Sequence, residues 1–83
     1  MVTNELEKYI GTSLYVGRYS VLIDDTIEYK DGHIDVCLLI SRDDYPGDYS
    51  MIVSSDTVFE MAAMAGIITY PNGETFYRDE IDN

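Results

Sequence analysis

The chain predicts an α+β fold: one antiparallel sheet of five to six strands with two short helices, in the order α-β-β-β-β-α-β-β. Three observations predict it. Runs rich in Val, Ile, Leu and Tyr follow one another at 14–23, 26–30, 33–41 and 49–53, with short turn signals between them. One apolar run, Val58 to Ala65, is preceded by the cap residues Ser54, Ser55 and Asp56 and followed by Gly66, which is helix punctuation. Two further strand-like pieces, Ile67 to Tyr70 and Glu74 to Arg78, flank Pro71-Asn72-Gly73, a hairpin turn. Strands in runs, with helices set apart, give hairpin connections and an antiparallel sheet.

The elements follow in order. Asn4-Glu5-Leu6-Glu7 resembles a capping box, and Leu6, Tyr9 and Ile10 share one helical face before Gly11. So short a helix has to dock on the sheet to persist. Leu14 to Ile23 reads as the first strand, with Gly17 as an interior bulge and Asp24-Asp25 as its end. Asp31-Gly32 is a two-residue hairpin signal between the second and third strands. Its register sets Lys30 against His33, Tyr29 against Ile34, Glu28 against Asp35 and Ile27 against Val36. One face of that pair is then apolar, and the other opposes two carboxylates, which is destabilising. Cys37 and Leu39 fall on the second face, so both faces are expected to be covered near Leu38. Arg42 to Asp48 is a turn with Pro46-Gly47 at the centre of a type II geometry. The Val58 to Ala65 helix is apolar nearly all round, which predicts burial, with Gly66 as its C-cap. Asp79 to Asn83 is an acidic tail expected to fray.

With 83 residues, the expected organisation is a single domain spanning 1–83. A chain of this size buries roughly 60–65% of its unfolded surface, so its core is small. Its 46% hydrophobic content excludes intrinsic disorder as the bulk state. There is one cysteine, Cys37, inside Val36-Cys37-Leu38-Leu39-Ile40. It is expected to be a buried apolar residue in a reducing, cytoplasmic setting. The N-terminal stretch lacks a basic region followed by an apolar one, so no signal peptide is expected. No apolar run approaches the roughly 20 residues of a membrane span.

Enzymatic chemistry finds little support, and no catalytic residue or cofactor is expected. His33 is the only histidine and adjoins a turn. Cys37 lies four residues further along the same strand, roughly 13 Å away at about 3.3 Å per residue, beyond the reach of a nucleophile and its base. One Cys and one His fall short of a four-ligand zinc site. Asp43, Asp44 and Asp48 offer oxygen ligands around Pro46-Gly47, but their spacing does not match an EF-hand loop, and no metal is expected.

Charge is the strongest functional signal. Sixteen Asp and Glu against five Lys and Arg leave a net charge of −11. Such a chain repels nucleic acids and anionic membranes and attracts basic protein surfaces. Eight tyrosines and no tryptophan stand among these acids, and tyrosine in acidic surroundings suits a protein partner. The residues expected to meet that partner are Asp24, Asp25, Glu28, Asp31, Asp35, Asp43, Asp44, Tyr45, Asp48 and Tyr49. Carboxylates two residues apart on one strand face stand roughly 6.6 Å apart. That is close to the spacing of successive phosphates on a nucleic-acid strand, which rises about 3.4 Å per base pair.

These features predict a small acidic interaction protein, in its sharper form a nucleic-acid mimic that inhibits a nucleic-acid-binding protein. In size and charge the chain is similar to the small acidic inhibitors that phages use against host defence, anti-CRISPR and anti-restriction proteins among them. That likeness implies action in the host cytoplasm. The second reading is a structural or assembly subunit that forms a homodimer through a free sheet edge, its acidity incidental.

Overall fold

The computed structural model describes residues 5–78 and has the predicted α+β class. A 3-10 turn, η1 (Glu5–Tyr9), precedes strands β1 (Ser13–Val16), β2 (Tyr19–Glu28), β3 (Ile34–Arg42) and β4 (Tyr45–Ser54). The helix α1 (Ser55–Met64) and strands β5 (Ile67–Thr69) and β6 (Thr75–Tyr77) follow. All six strands lie in one sheet of spatial order β4-β3-β2-β1-β5-β6, antiparallel at every pairing. The strand count agrees with the sequence, but its first boundary moves. Leu14 to Ile23 is two strands, because Val16 pairs with Tyr19 across Gly17-Arg18. Asp24-Asp25 does not end a strand; it sits at a bulge inside β2 where the register shifts between Ile23 and Asp25. A bulge absorbs the extra residue while the ladder continues.

One face of the sheet holds the core. Leu14, Val21, Ile23, Val36, Leu38, Ile40 and Ile68 alternate inward and meet Leu6 of η1 and Val58 of α1. The opposite face carries Tyr15, Leu22, Cys37, Leu39, Ile52, Ile67 and Tyr77, and nothing among the described residues covers it. Leu39 is 36% and Ile52 60% exposed. The expected cover on both faces near Leu38 is therefore absent there, and Cys37 is half-buried, not buried. The same one-sided burial corrects the reading of α1. Within it only Val58 is fully buried, while Phe59 and Met64 face outward. A helix lying on a single sheet can bury one stripe, whatever the composition of its other sides.

The helix ends follow different chemistries. At the start, the Ser54 hydroxyl accepts from the Thr57 backbone N–H, as the cap residues predict. At the other end, Gly66 does not take a positive φ and is not the cap; Ala65 leaves the helix in an extended conformation. Two carbonyls at this end are met from across the chain by Arg78. Its Nε donates to the Ala65 carbonyl at 2.7 Å and its Nη2 to the Ala62 carbonyl at 2.9 Å. Its guanidinium also lies over the Phe76 ring at 5.5 Å. A cation at a helix C-terminus also complements the helix dipole. At the N-terminus, η1 is a 3-10 turn where a helix was expected, because five residues are too few for a stable α-helix. Its Leu6 docks into the core as the pattern implied. Asn4 of the capping box and the tail from Asp79 to Asn83 lie outside the described residues.

Two hairpins share one turn chemistry. In Tyr29-Lys30-Asp31-Gly32-His33, the Gly32 N–H donates to the Tyr29 carbonyl and the Tyr29 N–H to the His33 carbonyl. In Tyr70-Pro71-Asn72-Gly73-Glu74 the same two bonds recur between Gly73, Tyr70 and Glu74. In each, the Asp31 or Asn72 side chain accepts from the backbone N–H two residues on. Gly32 and Gly73 sit at φ of +91° and +93°. Both are three-residue loops ending in a left-handed glycine. The two-residue reading of Asp31-Gly32 is thereby corrected, and every pairing below it slips by one. Glu28 opposes Ile34, Ile27 opposes Asp35 and Thr26 opposes Val36. No carboxylates face each other. At the other end of β3 the turn is Asp43-Asp44, with Arg42 paired to Tyr45. Pro46, Gly47 and Asp48 form a bulge opposite Ser41, not a type II turn.

Two outcomes test these assignments. Arg78→Ala should lower unfolding stability by about 1.5–3 kcal/mol, the usual range for hydrogen bonds to a charged group, with Arg78→Lys intermediate; equal denaturation midpoints for all three proteins would remove the cap. At Gly73 an added Cβ meets no atom within 4 Å, so Gly73→Val costs only backbone strain. About 1–3 kcal/mol should be lost in chemical denaturation.

Candidate functional site

The ten residues expected to meet a partner do not form one surface. Asp25, Glu28, Asp31 and Asp35 lie toward the β2–β3 hairpin, with Asp24 at the β2 bulge beside them. Asp43, Asp44, Tyr45, Asp48 and Tyr49 lie at the β3–β4 turn and the start of β4. The eight residue steps along the chain from Asp35 to Asp43 separate the two groups by roughly 26 Å at about 3.3 Å per residue. They also differ in which side of the sheet they face. Tyr45 and Tyr49 pair with Arg42 and Ile40 and so share the helix side, where Tyr49 lies near Met61 and Met64. Glu28, opposite Ile34, is on that side too. Asp25 and Asp35 lie on the open side.

The hairpin group is the better assembled. Asp25 opposes Cys37, which opposes Ile52; Ile27 opposes Asp35, which opposes Ser54. Asp25 and Asp35 are thus diagonal neighbours on one face, with backbones about 7–8 Å apart. Around Asp35 the contacts are closer. The Tyr29 hydroxyl donates to Asp35 Oδ2 at 3.1 Å, and His33 Nε2 lies 2.7 Å from Asp35 Oδ1. The Tyr29 and His33 rings stand 5.4 Å apart. His33 shares a face with Asp35 two residues along the chain in either register, and the three-residue loop brings Tyr29 onto that face as well. Sequence reasoning missed the group, since the two-residue register puts Tyr29 on the other face. The X-Asp/Asn-Gly pattern shared by both hairpins is the signal that could have found them.

The second group is partly neutralised. Arg18 Nη1 donates to Asp44 Oδ2 at 3.1 Å, and Arg42 Nε to Asp44 Oδ1 at 2.6 Å. A second Arg42 bond reaches Oδ2 at 3.1 Å. Asp44, with two guanidinium partners, is therefore a structural ligand of this turn. Asp43 and Asp48 remain exposed. Among the described residues, no three His, Cys, Asp or Glu side chains converge on a metal-sized site. An apolar cleft of about 190 Å³ lies between η1 and α1, lined in part by Leu6, Tyr9, Leu14 and Val58. Thr12 also lines it, with a buried hydroxyl that has no hydrogen-bond partner among the described residues. Among the described residues no helix is long and apolar enough to cross a membrane.

Comparison with known proteins finds no matching family model, no matching curated protein and no matching solved structure. The site is read from its own geometry.

The Tyr29–Asp35 contact has a titration signature. The hydrogen bond to Asp35, and next the repulsion a tyrosinate would meet from that carboxylate, raise the Tyr29 pKa above its ordinary value of 10.0. The folded chain therefore holds this phenolic proton more tightly than the unfolded chain. The resulting stability is present below pH 10 and is lost as pH rises past the raised folded value. In a tyrosinate absorbance titration, Tyr29 should ionise above its ordinary value of 10.0, and Asp35→Ala should move that step to lower pH. An unchanged curve in the variant would break the assignment.

Proposed function

We propose that this chain is a small acidic interaction protein that presents carboxylates to a basic surface on another protein. The observation that carries this reading is the placement of its cations. Of three arginines, Arg18 and Arg42 converge on the single carboxylate of Asp44. Arg78 is engaged by backbone carbonyls. Asp24, Glu28, Asp43 and Asp48 have no ion-pair partner in the described structure and are exposed. A net charge of −11 is thereby left largely unscreened at the surface. A folded chain that needed its arginines only for neutralisation would distribute them; here two are stacked on one turn and one closes a helix. The open sheet face around Asp25 and Asp35 is the preferred contact. It joins two acids whose backbones stand about 7–8 Å apart to the exposed ring of Tyr29 and the apolar side chain of Ile52. Charge matching there gives specificity and a faster on-rate.

The sharper form is a nucleic-acid mimic that fills a groove built for phosphates, in the manner of phage anti-defence inhibitors such as anti-CRISPR proteins. The carboxylate spacing supports that form. Capture from cell lysate at low and moderate salt, followed by affinity measurement against the purified basic partner, tests the reading. Asp25→Asn with Asp35→Asn retains acceptors for Tyr29 and His33 and should keep the fold. It should weaken binding roughly two- to thirtyfold, at about 0.2–1 kcal/mol per exposed pair. The salt dependence should also become shallower. A nucleic acid should compete for the same partner if the mimic form holds. Equal affinity and equal salt dependence for both proteins would remove this face from the interface.

A further inference from the structure

The two edges of the sheet are unequal. β6 is three residues long, and a short edge offers little to pair with. β4 is ten residues long, and among the described residues no strand lies beside its outer side. Monomeric sheets usually protect such an edge with Lys, Pro, bulges or inward charges. In β4 the protection ends early: Pro46 and Asp48 lie in the bulge, and Tyr49-Ser50-Met51-Ile52-Val53-Ser54 contains no charge and no proline. Tyr49 is 52%, Met51 43% and Ile52 60% exposed. This stretch therefore offers a row of backbone donors and acceptors flanked by uncovered apolar side chains.

We infer that β4 pairs antiparallel with β4 of a second copy, joining two sheets into one across a two-fold axis at Met51. A backbone edge is completed by another extended strand. Charge then selects which strand. A basic segment would find no carboxylate along Tyr49–Ser54, whereas β4 itself is uncharged over that length. The register is selected in the same way. An axis normal to the sheet keeps helix-side residues beside helix-side residues. Centred at Met51, it sets Tyr49 beside Val53 of the other copy, Ser50 beside Ile52, and Asp48 beside Ser54. Aromatic with β-branched is a favourable cross-strand pair. Centred at Ile52, the axis would bring Asp48 toward Asp56; centred at Ser50, it would bury Asp48 against Ile52. Only the Met51 register keeps both carboxylates clear of acids and of apolar neighbours. The interface is isologous, so it closes at two copies.

This dimer is independent of the carboxylate reading, and salt distinguishes them. Each copy carries −11, so association works against repulsion. Shortening the Debye length, from about 30 Å at 0.01 M to about 8 Å at 0.15 M, should tighten the dimer as salt rises. A carboxylate-mediated partner is weakened by the same change. Sedimentation equilibrium of the full chain across concentration and salt should show a monomer–dimer equilibrium with that salt response. Ile52→Lys, at an exposed position, should raise the dimer dissociation constant by on the order of tenfold or more. In a Cys37→Ser background, Met51→Cys should form an intermolecular disulfide on oxidation, since directly opposed residues lie about 4.5–5.5 Å apart. Asp48→Cys should not. A monomer at every concentration and salt overturns the inference, as does a dimer unaffected by Ile52→Lys. Polylysine, and not chain concentration, protecting β4 amides from hydrogen exchange would assign the edge to a foreign basic strand and overturn it equally.

Discussion

A single helix and a 3-10 turn cover a six-stranded sheet on one side only, and most of this molecule follows from that constraint. Leu14, Val21, Ile23, Val36, Leu38, Ile40 and Ile68 are buried beneath them, while the residues alternating with these face out. Apolar side chains on the second face, such as Ile52 and Leu39, are then uncovered by geometry and not by poor packing. The outer sides of α1, with Phe59 and Met64, are exposed for the same reason. Among the described residues, both elements outside the sheet lie on its core side. The uncovered face and the uncovered edge are what the protein has to offer a partner.

Cations are the scarce resource in so acidic a chain, and their placement is structural. Arg78 links the last strand to the end of α1, satisfying carbonyls that the chain leaves extended at Ala65. The Arg18–Asp44–Arg42 cluster joins the β1–β2 turn to the β3–β4 turn, which lie side by side because β1, β2, β3 and β4 are neighbours in order. Each of these exposed pairs is weak alone, but two guanidinium groups on one carboxylate hold a specific turn geometry. The acids left over belong to the surface field and to whatever it meets.

The acidic patch around Asp35 depends on one residue of loop length. A two-residue Asp-Gly turn would oppose Glu28 and Asp35 and scatter Tyr29 and His33. The three-residue loop moves Ile27 opposite Asp35 and gathers Tyr29, His33 and Asp35 into one hydrogen-bonded group. Because side chains alternate with period two, a slip of one residue exchanges the faces. A small difference in turn chemistry thus decides which carboxylates a partner would see together.

The amino-acid sequence by itself determined the class, a count of five to six strands, the serine-capped start of α1, the shared core face of Ile34 and Val36, and the excess of carboxylates. These are local or compositional properties: propensity, alternation, caps and charge act over a few residues. It did not determine where Leu14 to Ile23 folds back, because Gly17-Arg18 and Asp24-Asp25 are both plausible interruptions and only pairing with β3 decides between turn and bulge. Nor did it reveal that α1 would be half exposed. Its composition describes all its sides, whereas burial depends on how many layers the whole chain can build. Arg78 as the helix cap joins residues 13 and 16 positions apart, and the union of Asp25 with Asp35 needs the exact register of β2 on β3. Such juxtapositions are set by the summed geometry of turns, bulges and sheet order, which no window of sequence contains.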